Sequence, residues 1–359
     1  MPSDSTSAPT LPGHAHDVPL RDVVLGVSFL AATLTQASVR YFRLLVGSVD
    51  PHPDAALVWR PVAKAVLDGA PLYVEPATDN KPPLFEFLNV LLATTDAYQF
   101  AFLSCVALAN GLSAVLLYRL FARSSMRTTG AVAAGAFLLA LPLVKGHAIN
   151  VRSFAVCAFF VALTLRRPGL RGAAAAASIL FSQYLVFGVP VVVWYGLHRR
   201  QQRRSVRTWF VRFAVAGGSL VLVTYGAVLV LWGVPSFVGS VYWSTGLAQN
   251  YFTAYGPSVW VGVRAWRVYT LELVTRLSPL LLLSAGGAAA VLARCVPPSK
   301  RDGERRALQR LVLGSACLFG AFLFVRPYDT YWLYSLPWVA ALAAFGLRTA
   351  ADAVGPSPQ

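Results

Sequence analysis

Acidic side chains are scarce in this sequence of 359 residues: 15 Asp and Glu stand against 31 Lys and Arg. Charged residues of both signs make up 13%, about half the ~25% usual in a soluble globular domain. With 56% hydrophobic residues and a mean hydropathy of +0.57, this excludes a soluble enzyme of this size. It also excludes an intrinsically disordered chain, which needs low hydrophobicity. Cysteine is nearly absent. Cys105, Cys157, Cys295 and Cys317 lie in or beside apolar runs without metal-ligand spacing, and read as small core residues rather than disulfides. The histidines His14, His16, His52, His147 and His198 are scattered and form no zinc motif. No phosphate-binding or dinucleotide glycine loop is present; Gly286-Gly287 falls inside an apolar run, where it suits a close helix contact. No metal or redox cofactor is expected.

Long apolar segments are abundant. A transmembrane helix needs about 20 apolar residues. The first candidate, 23–46, is too long for a signal-peptide core and lacks a small-residue cleavage pattern, so it reads as a retained span. Further runs lie at 99–118, 129–144, 151–165, 172–187, 188–198, 211–232, 272–293, 311–325 and 331–347. The expected fold class is an all-α polytopic membrane protein of about ten transmembrane helices. The net charge of +16 follows from topology rather than from a nucleic-acid partner. Arginine and lysine gather in four loops, at 119–127, 166–171, 199–207 and 300–310, and cytoplasmic loops collect such residues. Alternation then gives a disordered cytoplasmic tail 1–21, a single transmembrane domain 22–347 in the plasma membrane, and a cytoplasmic tail 348–359. Two loops, 47–98 and 233–270, face outside.

The few acids mark the informative region. Asp50, Asp54, Asp68, Glu75, Asp79, Glu86 and Asp96 are seven of the 15, and all border or occupy the first external loop. Asp54 is followed by apolar residues at helical spacing, Leu57, Val58, Val62, Ala63, Val66 and Leu67, which predicts a short amphipathic helix along the membrane surface. Asp68-Gly69 is a helix stop. Asp79-Asn80-Lys81-Pro82-Pro83-Leu84 then opens a second apolar segment, and the two prolines predict an extended lead into it.

This combination covers residues 50–92: an acid after the first span, a surface helix ending in Gly69, the step Pro71-Leu72-Tyr73, and the box Lys81-Pro82-Pro83-Leu84 before an apolar helix. It resembles the first external loop of the GT-C glycosyltransferase superfamily. It is most similar to the branch of protein O-mannosyltransferases, aminoarabinose transferases and archaeal dolichyl-phosphate-mannose mannosyltransferases. The resemblance implies a GT-C-like domain whose donor is a sugar, mannose foremost, on a dolichyl or polyprenyl phosphate. It implies an external active site, and inverting transfer to a hydroxyl of a glycan, glycolipid or glycoprotein acceptor without a metal. Carried over by position, the general base falls on Asp54, with Asp50 as the alternative. Asp79 matches the acid before the Pro-Pro step, and Lys81 matches the lysine of the aminoarabinose-transferase version. Relatives carry adjacent acids where this chain has Asp54-Ala55, which leaves the register between Asp50 and Asp54 open.

Single-displacement transfer from a lipid phosphate needs a base on the acceptor hydroxyl and cations on the departing phosphate. Outside the cytoplasmic clusters the candidate clamps are Lys81, Arg40 and Arg43, Arg264 and Arg267, and Arg326 beside Tyr328. Each has a structural alternative: Arg40 and Arg43 can snorkel, Arg264 and Arg267 lie in an aromatic belt, and Arg326 can pair with Asp329. Gln183 and Tyr184, late in a span, can line a cavity or bond to a neighbouring helix. The turn Lys145, His147, Asn150 and Arg152 ranks below the first loop. Two other readings stay open: a lipid-linked-glycan transporter or flippase, and a non-catalytic subunit of an envelope glycan assembly.

Overall fold

The computed structural model describes residues 19–199, 205–244, 266–293, 303–325 and 329–354. Among them there is no strand. The helices are α1 (Leu20–Leu45), α2 (Arg60–Leu67), α3 (Pro83–Ala93), α4 (Tyr98–Ala122), α5 (Arg127–Ala140), α6 (Arg152–Thr164), α7 (Pro168–Phe181), α8 (Val189–His198), α9 (Val206–Ser244), α10 (Leu271–Ala293), α11 (Gly303–Val325) and α12 (Leu336–Val354).

Among the described residues, six helical stretches are long and apolar enough to cross a membrane: Leu20–Leu45, Tyr98–Ala122, Arg127–Val144, Val206–Ser244, Leu271–Ala293 and Gly303–Leu323. This is the pattern of a polytopic membrane protein, in which every backbone group must be bonded within its own helix. Other segments expected to span form shorter helices, α6, α7 and α8, for an evident reason. Pro168 and Pro190 sit in the first turn of α7 and α8, where a missing N–H costs nothing, and restart the chain before a full span is completed.

The loop expected from 233 onward also differs. At Gly233 the chain leaves helical geometry (φ 81°, ψ −175°), and Pro235 then starts a new stretch that runs to Ser244. Gly-Val-Pro is a break and a restart, so 235–244 is an arm of α9 rather than open loop. Residues 245–265 lie outside the described set.

The helices meet at glycines. A Cβ on Gly172 of α7 would collide with the Phe213 backbone of α9, and one on Gly287 of α10 with the Leu342 carbonyl of α12. Gly111 of α4 lets α1 approach, where a Cβ would stand 2.8 Å from both Leu30 and Thr33. Lipid offers no less apolar an environment than another helix does, so close packing of small residues is what brings such helices together. The main core lies between α4, α5, α6, α11 and α12 around Phe121, Phe137, Phe160, Leu308 and Trp338.

Opposite ends of the bundle differ in charge. Asp22 at the start of α1 accepts a hydrogen bond from Tyr118 near the end of α4 (2.5 Å), so these two helices are antiparallel. At that end residues of all four basic clusters come together: Arg123 donates to the Thr164 carbonyl (2.5 Å), Arg199 pairs with Glu304 (3.5 Å), and Arg305 shares a cleft with Arg123. The 47–98 segment lies at the other end, where α1 finishes and α4 begins.

Gly287→Val should lower the melting temperature of the purified protein, because the α10–α12 seam must open to admit the side chain; overpacking of this kind costs about 1–3 kcal/mol. Gly286→Ala, with nothing within 4 Å of its Cβ, should melt at or above wild type. Equal melting of the two variants in scanning fluorimetry would show that Gly287 is not a packing contact.

Candidate functional site

The segment after α1 folds back onto the bundle as a compact cap. A π turn, Ala55–Trp59, runs into α2. The helix closes on Gly69 (φ +100°), with Gly69 N–H bonded to Val66 O (3.1 Å) and Ala70 N–H to Ala65 O (2.9 Å). That double bond pattern is a Schellman cap, and the positive φ is why glycine is needed there. Tyr73 also adopts a left-handed conformation (φ 68°), held by its N–H to Ala77 O (2.8 Å) and by its hydroxyl to Lys81 O (2.7 Å). Gly239 of the α9 arm lies against it; a Cβ there would stand 2.6 Å from Tyr73 O. Pro82 is extended (ψ 155°) and Pro83 begins α3.

Beneath this cap lies a buried polar group of residues. Glu86 is fully buried on α3 and Asp79 nearly so. Their carboxyls are within hydrogen-bond reach of each other, and among the described residues neither Asp79 Oδ2 nor Glu86 Oε1 has another partner. Burial first, and then the Asp79 charge, push Glu86 well above the usual carboxylate range. Its Oε2 accepts from Asn89 Nδ2 (3.2 Å), which also donates to Trp59 O (2.8 Å), while Asn89 Oδ1 accepts from Tyr98 (2.7 Å). Asp79 Oδ1 accepts from the Asn80 N–H (2.6 Å), and Lys81 Nζ stands 3.8 Å from the same oxygen. Lys81 also bonds to Asn80 Oδ1 and lies 5.8 Å from the centre of the Trp59 ring. Gln183 reaches in from the turn after α7, donating to Asn80 O (3.2 Å).

A second polar patch adjoins this one. His52 stacks on Trp59 (centroids 5.8 Å, planes 8° apart). The charged groups around it are Asp54, Arg152, Lys145 and Arg40. Burial lowers the His52 pKa to about 4, with Asp54 opposing and the three cations assisting. Asp54 is half-buried. Arg152, at the start of α6, is 5% exposed, and its guanidinium lies 3.8 Å from the centre of the Tyr331 ring. Its Nε and Nη1 have no hydrogen-bond partner. Tyr184 packs edge-on against the same Tyr331 (5.5 Å). Lys145, in a left-handed turn (φ 54°), pairs with Asp329 at 2.7 Å. Asn150 ties the turn together through Ala148 O (2.8 Å) and Gly146 O (3.1 Å).

The sequence-selected residues therefore divide. Asp54 and Arg40 belong to the His52 patch. Asp79, Lys81 and Gln183 belong to the buried group, and Tyr184 joins the two through Tyr331. Asp50 is exposed and offers its backbone carbonyl to Arg40 (3.0 Å). Arg43 is exposed at the end of α1, within electrostatic reach of His147. Arg267 is exposed in the turn before α10 and meets neither patch. Arg264, Arg326 and Tyr328 lie outside the described residues. Asp329 bonds to Lys145.

From the sequence alone Glu86 is one loop acid among seven, Asn89 and Tyr98 carry no mark, and the turn holding Arg152 ranks below the first loop. A usable signal existed for one pair. Glu86 and Asn89 are three apart on an otherwise apolar helix, which puts an acid and an amide on one face. Compared with known proteins, the chain matches no family model and no curated protein sequence.

Glu86 carries a pH signature. A raised folded pKa adds stability that is complete below the unfolded value of 4.5 and disappears as pH rises through the folded value. Melting temperature should thus fall toward alkaline pH in wild type and stay flatter in Glu86→Gln, whose amide can still donate to Asp79. Glu86→Leu strands Asn89 and Asp79 and should cost about 2–4 kcal/mol. His52 has the opposite sign: its depressed pKa gives stability present above 6.5 that is lost as pH falls toward 4, and His52→Gln should remove that acid-side loss.

Proposed function

We propose that this protein is a membrane glycosyltransferase of the GT-C type. In this reading it moves a sugar, mannose foremost, from a dolichyl or polyprenyl phosphate to an acceptor hydroxyl on a lipid-linked or protein-linked glycan at the external face. One observation carries the reading. A half-buried carboxylate, Asp54, sits in the field of a buried arginine, Arg152, two of whose nitrogens have no protein partner. The same guanidinium is bonded to Tyr331 and Tyr334, while its Nε and Nη1 stay open; a base and a cation with open donors in each other's field are what single displacement at a sugar–phosphate bond requires.

The steps follow from those two groups. Asp54 accepts the proton of the acceptor hydroxyl as its oxygen attacks the anomeric carbon from the side opposite the phosphate. The bond from that carbon to the phosphate oxygen breaks with inversion. Arg152 holds the departing phosphate dianion through its free N–H donors, which strengthens as charge develops on the leaving oxygen. No strong general acid is needed, because phosphate leaves as an anion. Burial keeps His52, stacked on Trp59, neutral at pH 7, so it adds no charge to the patch. Asp79 and Glu86, in contact under the cap, position Lys81 and the cap itself rather than meet the acceptor. Tyr184 supports Tyr331, the ring on which Arg152 rests.

Removal of a positioned base typically costs 10²–10⁴-fold. Asp54→Asn should therefore lose at least about a hundredfold in transfer while melting like wild type, and Asp50→Asn should keep most activity. In a deletion strain, glycan profiling should show loss of one terminal hexose, restored by wild type and not by Asp54→Asn. A glycan profile unchanged by the deletion would refute the reading.

A further inference from the structure

The arginine-rich end of the bundle, opposite the cap, contains a cavity of about 330 Å³ between α6, α7, α8 and α9. Arg166, Arg167, Arg171, Arg199, Trp209 and Glu304 line it. The topological preference for basic cytoplasmic loops accounts for arginines in solvated turns. It does not account for Arg171, which is 3% exposed.

The fold makes room for this side chain. Gly196 on α8 faces it, and a Cβ there would collide with Arg171 Nη1. The guanidinium donates to neutral carbonyls: Nε and Nη2 to Leu165 O (3.1 and 2.5 Å) and Nη1 to Val192 O (3.4 Å). Those three bonds leave two of the five N–H donors of the guanidinium. Arg199 and Arg123 act on Arg171 as like charges, and no carboxylate bonds to it among the described residues. Arg123 in turn is within electrostatic reach of Arg166 and Arg119. Among the described lining residues Glu304 is the one acid; it is largely exposed and pairs with Arg199 at 3.5 Å. The α7 N-terminus opens onto the same cavity through Pro168 and has no side-chain cap. Its first N–H groups add partial positive charge.

A buried guanidinium with a glycine cut for it, no carboxylate of its own, and further arginines at the rim is a site short of a counter-ion. We propose that this cavity binds a phosphate-bearing anion, held by Arg171 from below and by Arg166 and Arg167 from the rim. The same chemistry is offered by the headgroup of an anionic lipid and by a soluble phosphate. Basic pockets between helices at the cytoplasmic side are suited to the former.

The test uses the full chain in nanodiscs and two double variants of equal charge loss. Arg166→Gln/Arg167→Gln removes the exposed rim without touching Arg171. Arg207→Gln/Arg310→Gln removes two exposed arginines that do not line the cavity. Native mass spectrometry measures retention of phosphatidylglycerol against phosphatidylcholine. Thermal melting in phosphatidylcholine discs measures the response to inorganic phosphate against chloride at matched ionic strength. Preferential retention of phosphatidylglycerol, weakened about tenfold or more in the rim variant and less than twofold in the control, supports the site with a lipid as its source. A melting shift with phosphate that vanishes in the rim variant alone supports it with a soluble ligand. Absence of both preferences in wild type, or equal losses in the two variants, overturns it.

Discussion

Everything at the capped end rests on a carboxyl group that has no water to ionise into. Glu86 is buried on an apolar helix within reach of a second acid, and both conditions favour its protonated form. Its contact with Asp79 sets the 79–81 turn against α3, and Asn89 extends the tie to the Trp59 backbone and to Tyr98 at the head of α4. The surface helix, the Lys81 box and the first long internal helix are thereby joined through Asn89 and Glu86, with the Lys81–Asp79 ion pair at the edge of the network. Trp59 is the packing counterpart: it stacks on His52 and Phe102 and meets Phe85 edge-on, so the cap has an aromatic floor under its polar network.

The two ends of the bundle solve one problem in different ways. Each places arginine where water is scarce. Arg152 rests on the face of Tyr331, bonded to Tyr331 and Tyr334 with Nε and Nη1 open, in the field of Asp54; Arg171 rests among carbonyls with two donors open, in the field of other arginines. The first arrangement sets a base beside a cation. The second sets cations together. In the proposed function the first would serve a departing anion, and in the proposed anion site the second would hold a resident one.

Much of the architecture was legible in the sequence because a bilayer imposes a length and an apolarity that composition reveals directly. The helical character of 20–45, 98–122 and 271–293 needs no tertiary information. The surface helix closing at Gly69 and the proline-led start of α3 are local chemistry and were equally readable. What composition could not convey was adjacency. Arg152 and Asp54 are far apart in sequence and come within electrostatic reach because α6 begins beside the cap. Glu86 looked like one loop acid among seven, and acquires its role from Asp79, carried over it by the extended Pro82. The burial of Arg171 depends on a glycine in another helix. The continuation of α9 past Gly233 was hidden because Gly-Val-Pro signals a stop as strongly as it signals a restart.

That restart links the cap to the bilayer mechanically. At about 1.5 Å per residue, the 39 residues of α9 would reach roughly twice the ~30 Å of hydrocarbon they have to cross, and the break at Gly233 divides them into a shaft and an arm. The arm bears on the cap at Gly239, against the carbonyl of Tyr73, whose hydroxyl holds the carbonyl of Lys81. The longest described helix thus touches the lysine box through one glycine contact and one hydrogen bond.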